Sequence, residues 1–345
     1  MPNRHLSLHS NAAMGRRICA AASGIILVTF SIPSISGNVD GTGQRAQSQL
    51  AEFRSVDIGG RKLRLYCAGS GTPTVVIAPS GGSMESVFSI YPPIGWSAVF
   101  REVQETSQVC IYDRAGIGKS DDVAGPPISS ANVAIDLHAL LHNGGVPAPY
   151  VLVGQSFGGM NVRMYAHLYP ADCSGMVLVD SSHPDQYPRF AEVLPKRVVG
   201  ESPILRGLRE GPEAAGVDFS ANARLVGATG GIGDKPLIVV TRSPKWPGDA
   251  AVPDDWEKLV EPVWQQLQTD LLRISSNSKQ IISKVAGHNI QFDEPQLVAK
   301  AILDVVTQVR EGPPPNTSLE QTREKQAVPL VGFHANHVAA ADRAR

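Results

Sequence analysis

Residues 150–169 read YVLVGQSFGGMNVRMYAHLY, and the order of side-chain types in this stretch decides the fold. Tyr150-Val-Leu-Val is a β-branched apolar run of the kind that forms a buried strand. Gly154-Gln155-Ser156-Phe157-Gly158 matches G-x-S-x-G, and the spacing from Gly158 to Tyr169 suits a helix. A strand that turns this sharply into a helix leaves no room for side chains at positions 154 and 158, and it holds Ser156 in a strained backbone conformation. The serine hydroxyl is then presented at the helix N-terminus, where the backbone N–H of Phe157 faces any negative charge that develops beside it.

A serine hydroxyl is unreactive without a base, so this turn predicts a histidine later in the chain and an acid to orient it. Of nine histidines, His288 stands in Ala-Gly-His-Asn-Ile, a loop at the C-terminal end of the strand-like run 280–285. His167 falls inside a helix and His183 flanks Pro184. Asp180 ends the apolar run 175–179, so its carboxylate is expected at the same sheet edge as Ser156 and His288. Asp249, several residues past the run 236–241, and Asp185 are the alternatives for the acid. A second oxyanion donor is expected from the loop Ala78-Pro-Ser-Gly-Gly-Ser-Met, with Gly82 supplying the N–H and Gly81 allowing close approach.

Outward from the turn, strand and helix alternate. Two short alternating segments between 53 and 67 flank Gly59-Gly60, the signature of a hairpin. Apolar runs at 74–78, 108–112, 150–153, 175–179, 236–241 and 280–285 read as buried parallel strands, and 129–142, 158–169, 254–275 and 294–310 read as helices between them. This alternation predicts an α/β protein with a doubly wound, mostly parallel sheet. In the third helix Trp256, Leu259, Val260, Val263, Trp264, Leu267 and Leu271 share one face, which reads as core. The interval 183–234 is too long for an ordinary connection and reads as an inserted cap.

Composition limits the partners. Lys+Arg 31 against Asp+Glu 32 in 345 residues leaves no basic surface for phosphates, so no nucleic-acid partner is expected. Arg16-Arg17 followed by the apolar run 18–35 and the small residues Ser34 and Ser36 resembles a secretory signal. Residues 1–36 are accordingly expected as a signal peptide directing export to the periplasm or beyond, with an uncleaved membrane anchor or a cytosolic protein as alternatives. Residues 37–52 read as a linker, 53–311 as the folded domain, and 312–345, after Glu311-Gly-Pro-Pro-Pro, as a disordered tail. Its His334 and His337 read as solvated side chains. The four cysteines, Cys19, Cys67, Cys110 and Cys173, contain no C-x-x-C, which argues against a zinc site or a dithiol redox motif.

With the turn, the late histidine and these loops together, residues 56–309 resemble the α/β-hydrolase superfamily. The chain looks most like its bacterial serine esterase and lipase branch with YDRAGxGxSD, here Tyr112-Asp113-Arg114-Ala115-Gly116-Ile117-Gly118-Lys119-Ser120-Asp121, and GxSFGG. Leu178-Val179-Asp180 with His183-Pro184-Asp185-Gln186 is similar to that branch as well. The resemblance implies an eight-stranded, mostly parallel sheet flanked by helices, with a cap before the seventh strand. It also implies cleavage of a small-molecule ester through an acyl-enzyme on Ser156, with His288 and Asp180 completing the catalytic set, Phe157 and Gly82 the oxyanion hole, and no metal or cofactor. Two departures, Gln155 in place of a common His and Ser80-Gly81 in place of His-Gly, alter the polarity of the pocket. Asp113-Arg114 reads as a structural turn whose charges hold a loop. The family sheet order makes the second and fourth strands neighbours, which would bring Cys67 beside Cys110 for a disulfide in an exported protein. Thioester hydrolysis, lyase or cofactor-free oxidative chemistry, and a non-catalytic ligand-binding homologue, are the alternative readings on the same fold.

Overall fold

Alternation with period two sorts the strand side chains onto two faces, and both faces are covered by helices. In the computed structural model, residues 52–80, 84, 88–89, 94–123, 128–196, 206–207, 217–245 and 254–312 are described. The expected signal, linker and tail therefore lie outside the described residues, apart from Glu52 and Gly312 at their edges. The eight strands of the main sheet are β1 (Glu52–Asp57), β2 (Lys62–Ala68), β3 (Thr74–Ala78), β4 (Val109–Tyr112), β5 (Tyr150–Gln155), β6 (Cys173–Val179), β7 (Leu237–Thr241) and β8 (Ser278–Ile282). They lie in the order β1-β2-β4-β3-β5-β6-β7-β8. Pairing is antiparallel for β1 with β2 and β2 with β4, and parallel from β4 through β8. The β1–β2 hairpin turns at Gly59 and Gly60, with φ of 98° and 99°, and the Asp57 carboxylate accepts both of their N–H groups.

The helices are α1 (Trp96–Val103), α2 (Ser130–Asn143), α3 (Phe157–Leu168), α4 (Gln186–Val193), α5 (Phe219–Gly227), α6 (Asp254–Asp270), α7 (Ile290–Asp293) and α8 (Pro295–Glu311). Val76, Leu152, Leu178 and Val239 pack with Leu137 and Leu141 of α2 and Met160 of α3. On the opposite face Ile77, Val153, Val177 and Val240 pack with Val99 and Phe100 of α1 and Ile302 and Val305 of α8. Truncating one such buried aliphatic chain to alanine costs about 2–5 kcal/mol. A smaller third cluster joins Phe190 and Leu194 at the end of α4 to Trp256, Val260, Trp264 and Leu267 of α6.

Several boundaries differ from the sequence reading, each for a local reason. The strand expected over 280–285 starts at Ser278 and stops at Ile282. The Ser283 hydroxyl accepts the N–H groups of Val285 and Ala286 and folds the chain into a turn, leaving Val285 70% exposed. The helix expected over 254–275 ends at Asp270 and tightens into a 3-10 turn over Leu271–Ile274. Leu259, assigned to the core face by its spacing, is 41% exposed, because α6 packs along the line of Trp256, Val260, Trp264 and Leu267.

Cys67 and Cys110 face each other in the β2–β4 register and their sulfurs are bonded, while Cys173 is buried and free, its thiol pushed up to about 11 by burial. The bond closes a loop with a sequence separation of 43. From loop entropy, the Cys67→Ser/Cys110→Ser double variant is expected to lose about 4 kcal/mol of unfolding free energy relative to the oxidised protein. Urea denaturation of the two proteins, followed by far-UV circular dichroism, measures the difference.

Candidate active site

The end of β5 carries the strained turn. Ser156 follows Gln155 with φ 51° and ψ −123°, and α3 begins at the next residue. Any Cβ on Gly158 would collide with the Ala78 carbonyl, and one on Gly154 would lie 2.6 Å from Gly159 Cα. The glycines therefore let β3, β5 and α3 approach closely enough to form the turn. Backbone bonds fix the serine against the neighbouring strand: Ser156 N donates to Val179 O (3.2 Å), and Ser182 N donates to Ser156 O (3.0 Å). The Phe157 N–H is the first of the helix and is not needed for an intrahelical bond.

Asp180 stands immediately after β6, fully buried, with φ 41°. Among the described residues, Ser156 and Asp180 are the two non-glycine residues at positive φ, a conformation that costs energy and clusters at functional sites. Asp180 N donates to Val240 O (2.7 Å), which anchors the residue across the sheet to β7. Its Oδ1 accepts from Trp264 Nε1 (2.9 Å) and from the Arg242 backbone N–H (3.0 Å). Its Oδ2 lies 2.7 Å from His288 Nδ1 and 3.5 Å from Arg242 Nη1.

Burial alone would raise the carboxyl pKa, yet the His288 hydrogen bond, the Arg242 charge and the Arg242 N–H together hold Asp180 below the ordinary carboxylate range. An ionised carboxylate can only accept, so His288 Nδ1 carries the proton and donates it. That tautomer leaves the Nε2 lone pair free to take a proton. The ionised Asp180 contributes stability above the unfolded carboxylate pKa, which is lost only as pH falls through its lower folded value.

The structure thus brings Asp180 and His288 into direct contact and fixes Ser156 beside the Asp180 segment through the backbone. The Ser156 hydroxyl has no hydrogen bond to His288 among the described residues, and such bonds often tighten only with substrate bound. Asp185 stands at the N-cap position of α4, where its backbone N–H donates to His183 Nδ1 (3.0 Å), rather than at the His288 loop, and Asp249 and Gly82 lie outside the described residues. The two ends of the Gly82 loop are described: Arg114 Nη2 donates to Ser80 O (2.6 Å), and Asp113 Oδ1 accepts from Met84 N (2.7 Å). Asp113 and Arg114 act here as a brace for that loop, in line with their reading as a structural turn.

Sequence reasoning missed the residues that hold Asp180. Trp264 was assigned to an apolar stripe, and Arg242 follows β7 without a motif. Arg242 stacks over the Trp264 ring at 4.7 Å, and its guanidinium donates to Glu261 Oε2 (Nη2, 2.5 Å). Gln268 Nε2 donates to Ser181 O (2.7 Å), so one face of α6 supplies Glu261, Trp264 and Gln268 to this edge. The available signal was the indole itself, since a buried Trp N–H needs an acceptor.

A cleft of about 210 Å³ opens beside His288, lined among others by Ser80, Trp96, Gln155 and Gln291. Trp96 Nε1 and Gln291 Oε1 are buried there without hydrogen-bond partners among the described residues. Phe219, the first residue of α5, packs edge-on against Phe157, with ring centroids 5.2 Å apart. Among the described residues no three His, Cys, Asp or Glu side chains gather in a way that would hold a metal ion.

A family model described as the alpha/beta hydrolase fold matches residues 73–201. The uncharacterized protein YqjL of Bacillus subtilis is 30% identical over 213 residues, spanning 61% of this chain and 77% of its own. A protein of Gibberella zeae named an AB hydrolase superfamily protein is 21% identical over 266 residues, 62% of this chain and 83% of its own. Among solved structures, mouse alpha/beta hydrolase domain-containing protein 10 superposes with a TM-score of 0.53 at 17% identity, covering 74% of this chain and 99% of its own. At that identity the likeness speaks for the fold.

Trp264→Phe removes one donor to an ionised, buried acceptor and is expected to lower unfolding stability by about 2 kcal/mol, read by urea denaturation at pH 7. His183, whose Nδ1 accepts the Asp185 N–H, is depressed to about 4 by burial and by the nearby Arg163 charge. Its neutral form is the folded one, so stability is unaffected above the unfolded value near 6.5 and falls as pH drops from there to about 4. His183→Asn keeps an acceptor without titrating, and is expected to reduce the stability loss between those pH values by about 3 kcal/mol. Parallel Tm–pH profiles of the two proteins give the comparison.

Proposed function

Because the chain belongs to the α/β-hydrolase superfamily, we propose that it is a serine hydrolase that cleaves carboxylic esters of small molecules through an acyl-enzyme on Ser156. The observation that carries this reading is the fully buried, ionised Asp180 holding His288 Nδ1–H at 2.7 Å, which orients the other ring nitrogen for proton transfer. The positive φ of Ser156 at the start of α3 supports it as the nucleophile.

In this mechanism His288 Nε2 takes the Ser156 proton as Oγ bonds to the acyl carbon. The carbonyl electrons move onto oxygen, where the N–H groups of Phe157 and Gly82 stabilise them. Collapse expels the alcohol oxygen, which receives the proton from His288, and leaves an ester on Ser156. Water, deprotonated by His288, repeats the addition and releases the acid, restoring the serine. Asp180 stays ionised throughout and stabilises the imidazolium. The chemistry draws on side chains and backbone alone and calls for no metal or cofactor. Trp264, Arg242 and Glu261 act as positioning residues through Asp180.

The Cys67–Cys110 disulfide supports the expected export, since such bonds persist in oxidising compartments. A serine nucleophile argues against the aspartate-ester route of dehalogenases and epoxide hydrolases on this fold.

Wild-type protein is expected to hydrolyse p-nitrophenyl esters of short acids and to label with a fluorophosphonate. Ser156→Ala is expected to abolish labelling and lower kcat by a factor on the order of 10⁴ or more, and Asp180→Asn to lower kcat by roughly 10⁴ by favouring the wrong imidazole tautomer. Labelling of Ser156→Ala at the wild-type rate would refute the nucleophile. Ligand binding by a wild-type protein that neither labels nor turns over any ester would point instead to a non-catalytic homologue.

A further inference from the structure

Away from the cleft beside His288, and sharing no lining residue with it, a second cavity of about 200 Å³ lies between β2, β4 and the start of α2. Its polar wall is made by Arg61, Tyr112, Arg114 and Asp136. Three atoms on that wall, Arg61 Nε, Tyr112 Oη and Arg114 Nη1, are buried and have no hydrogen-bond partner among the described residues. Tyr112 and Arg114 are 1% and 8% exposed. Leaving such donors without partners is costly, and so is a buried charge without a counter-ion.

The charges around the cavity do not cancel. Arg61 pairs with Asp136, which neutralises both. Arg114 donates one nitrogen to the Ser80 carbonyl and stacks over the Phe157 ring at 5.4 Å, but has no carboxylate partner among the described residues. Burial accordingly pushes its pKa down, the direction of a charge lacking compensation. What remains is one positive charge with three unpartnered hydrogen-bond donors lining one cavity, the complement of an oxyanion. Apart from Asn132, the rest of the wall is hydrocarbon, chiefly from Leu63, Val123, Ile128 and Val133. An inorganic anion would set its outer oxygens against those side chains, whereas a monocarboxylate with a few carbons satisfies both walls at once.

We propose that this cavity is a binding site for a small aliphatic monocarboxylate, held by Arg114, Tyr112 and Arg61 with its hydrocarbon part against Leu63, Val123 and Val133. The site is separate from the proposed hydrolytic centre and does not depend on it. It is nonetheless linked to it, because the guanidinium that would hold the carboxylate also holds the Ser80 carbonyl and lies against Phe157.

The test is isothermal calorimetry and thermal unfolding of the whole protein with sodium butyrate, against butyramide, sodium phosphate and sodium chloride at matched ionic strength. Butyrate is expected to bind and raise Tm, by mass action, in both wild type and Ser156→Ala, with no comparable effect of the other three. Tyr112→Phe removes one donor without changing shape. It is expected to weaken butyrate about tenfold while leaving the unliganded protein at least as stable as wild type, since the hydroxyl lost has no partner. The proposal fails if butyrate does not bind or if butyramide, phosphate or chloride matches it. It also fails if Ser156→Ala abolishes the effect, which would locate butyrate in the cleft, or if Tyr112→Phe binds it as wild type does. Since binding is read without turnover, the proposed hydrolysis can fail while this site stands, and the reverse.

Discussion

A carboxylate ionised in a fully buried position is the constraint on which the rest of this site depends. Asp180 is sealed from bulk solvent, and stripping its hydration would by itself force it neutral. It stays charged because the protein supplies a replacement shell: an indole N–H, a backbone N–H, a guanidinium and an imidazole. A neutral Asp180 could donate to His288 and would no longer demand a proton on Nδ1. The tautomer of His288, and with it any use of Nε2 as a base, therefore rests on groups drawn from the end of β7 and from α6.

The topology explains why those groups meet. Parallel strands β5, β6 and β7 all end at one edge of the sheet, so Ser156, Asp180 and Arg242 emerge side by side although they are far apart in sequence. His288 arrives from the loop after β8, which is tied back by Ser243 N to Ala286 O (2.9 Å) and by Gly287 N to Asp293 Oδ2 (2.8 Å). Positive φ at Ser156 and Asp180 re-aims each side chain just past its strand, and the backbone bonds between the two segments hold both in place.

The elements whose signal is local were legible in the sequence. Strand β5, the Gly154–Gly158 turn and helix α3 follow from residue types in one twenty-residue window, and the Gly59-Gly60 hairpin from a two-residue signal. The pairing of Asp180 with His288 was readable as one of three possibilities, because strand ends can be counted but their order across a sheet cannot. What stayed hidden was set by tertiary packing. Periodicity put Trp264 and Leu259 on the same apolar face, yet one donates to Asp180 and the other faces solvent, since a helical stripe fixes direction only to within the width of the face. Strand β8 ends three residues early because a single hydroxyl, on Ser283, outbids the sheet for two N–H groups, a competition invisible to hydropathy.

Phe157 divides its duties between backbone and side chain in a way that separates what must be rigid from what can adjust. Its N–H is oriented by the strand-to-helix turn, which the contacts of β3, β5 and α3 enforce. Its ring, by contrast, contacts Arg114 of the loop brace and Phe219 of α5, which packs in turn on Tyr187 of α4. The ring can therefore repack against Phe219 without displacing the N–H fixed by the turn. Residues that repack the ring can thus vary without disturbing the backbone geometry that the turn imposes.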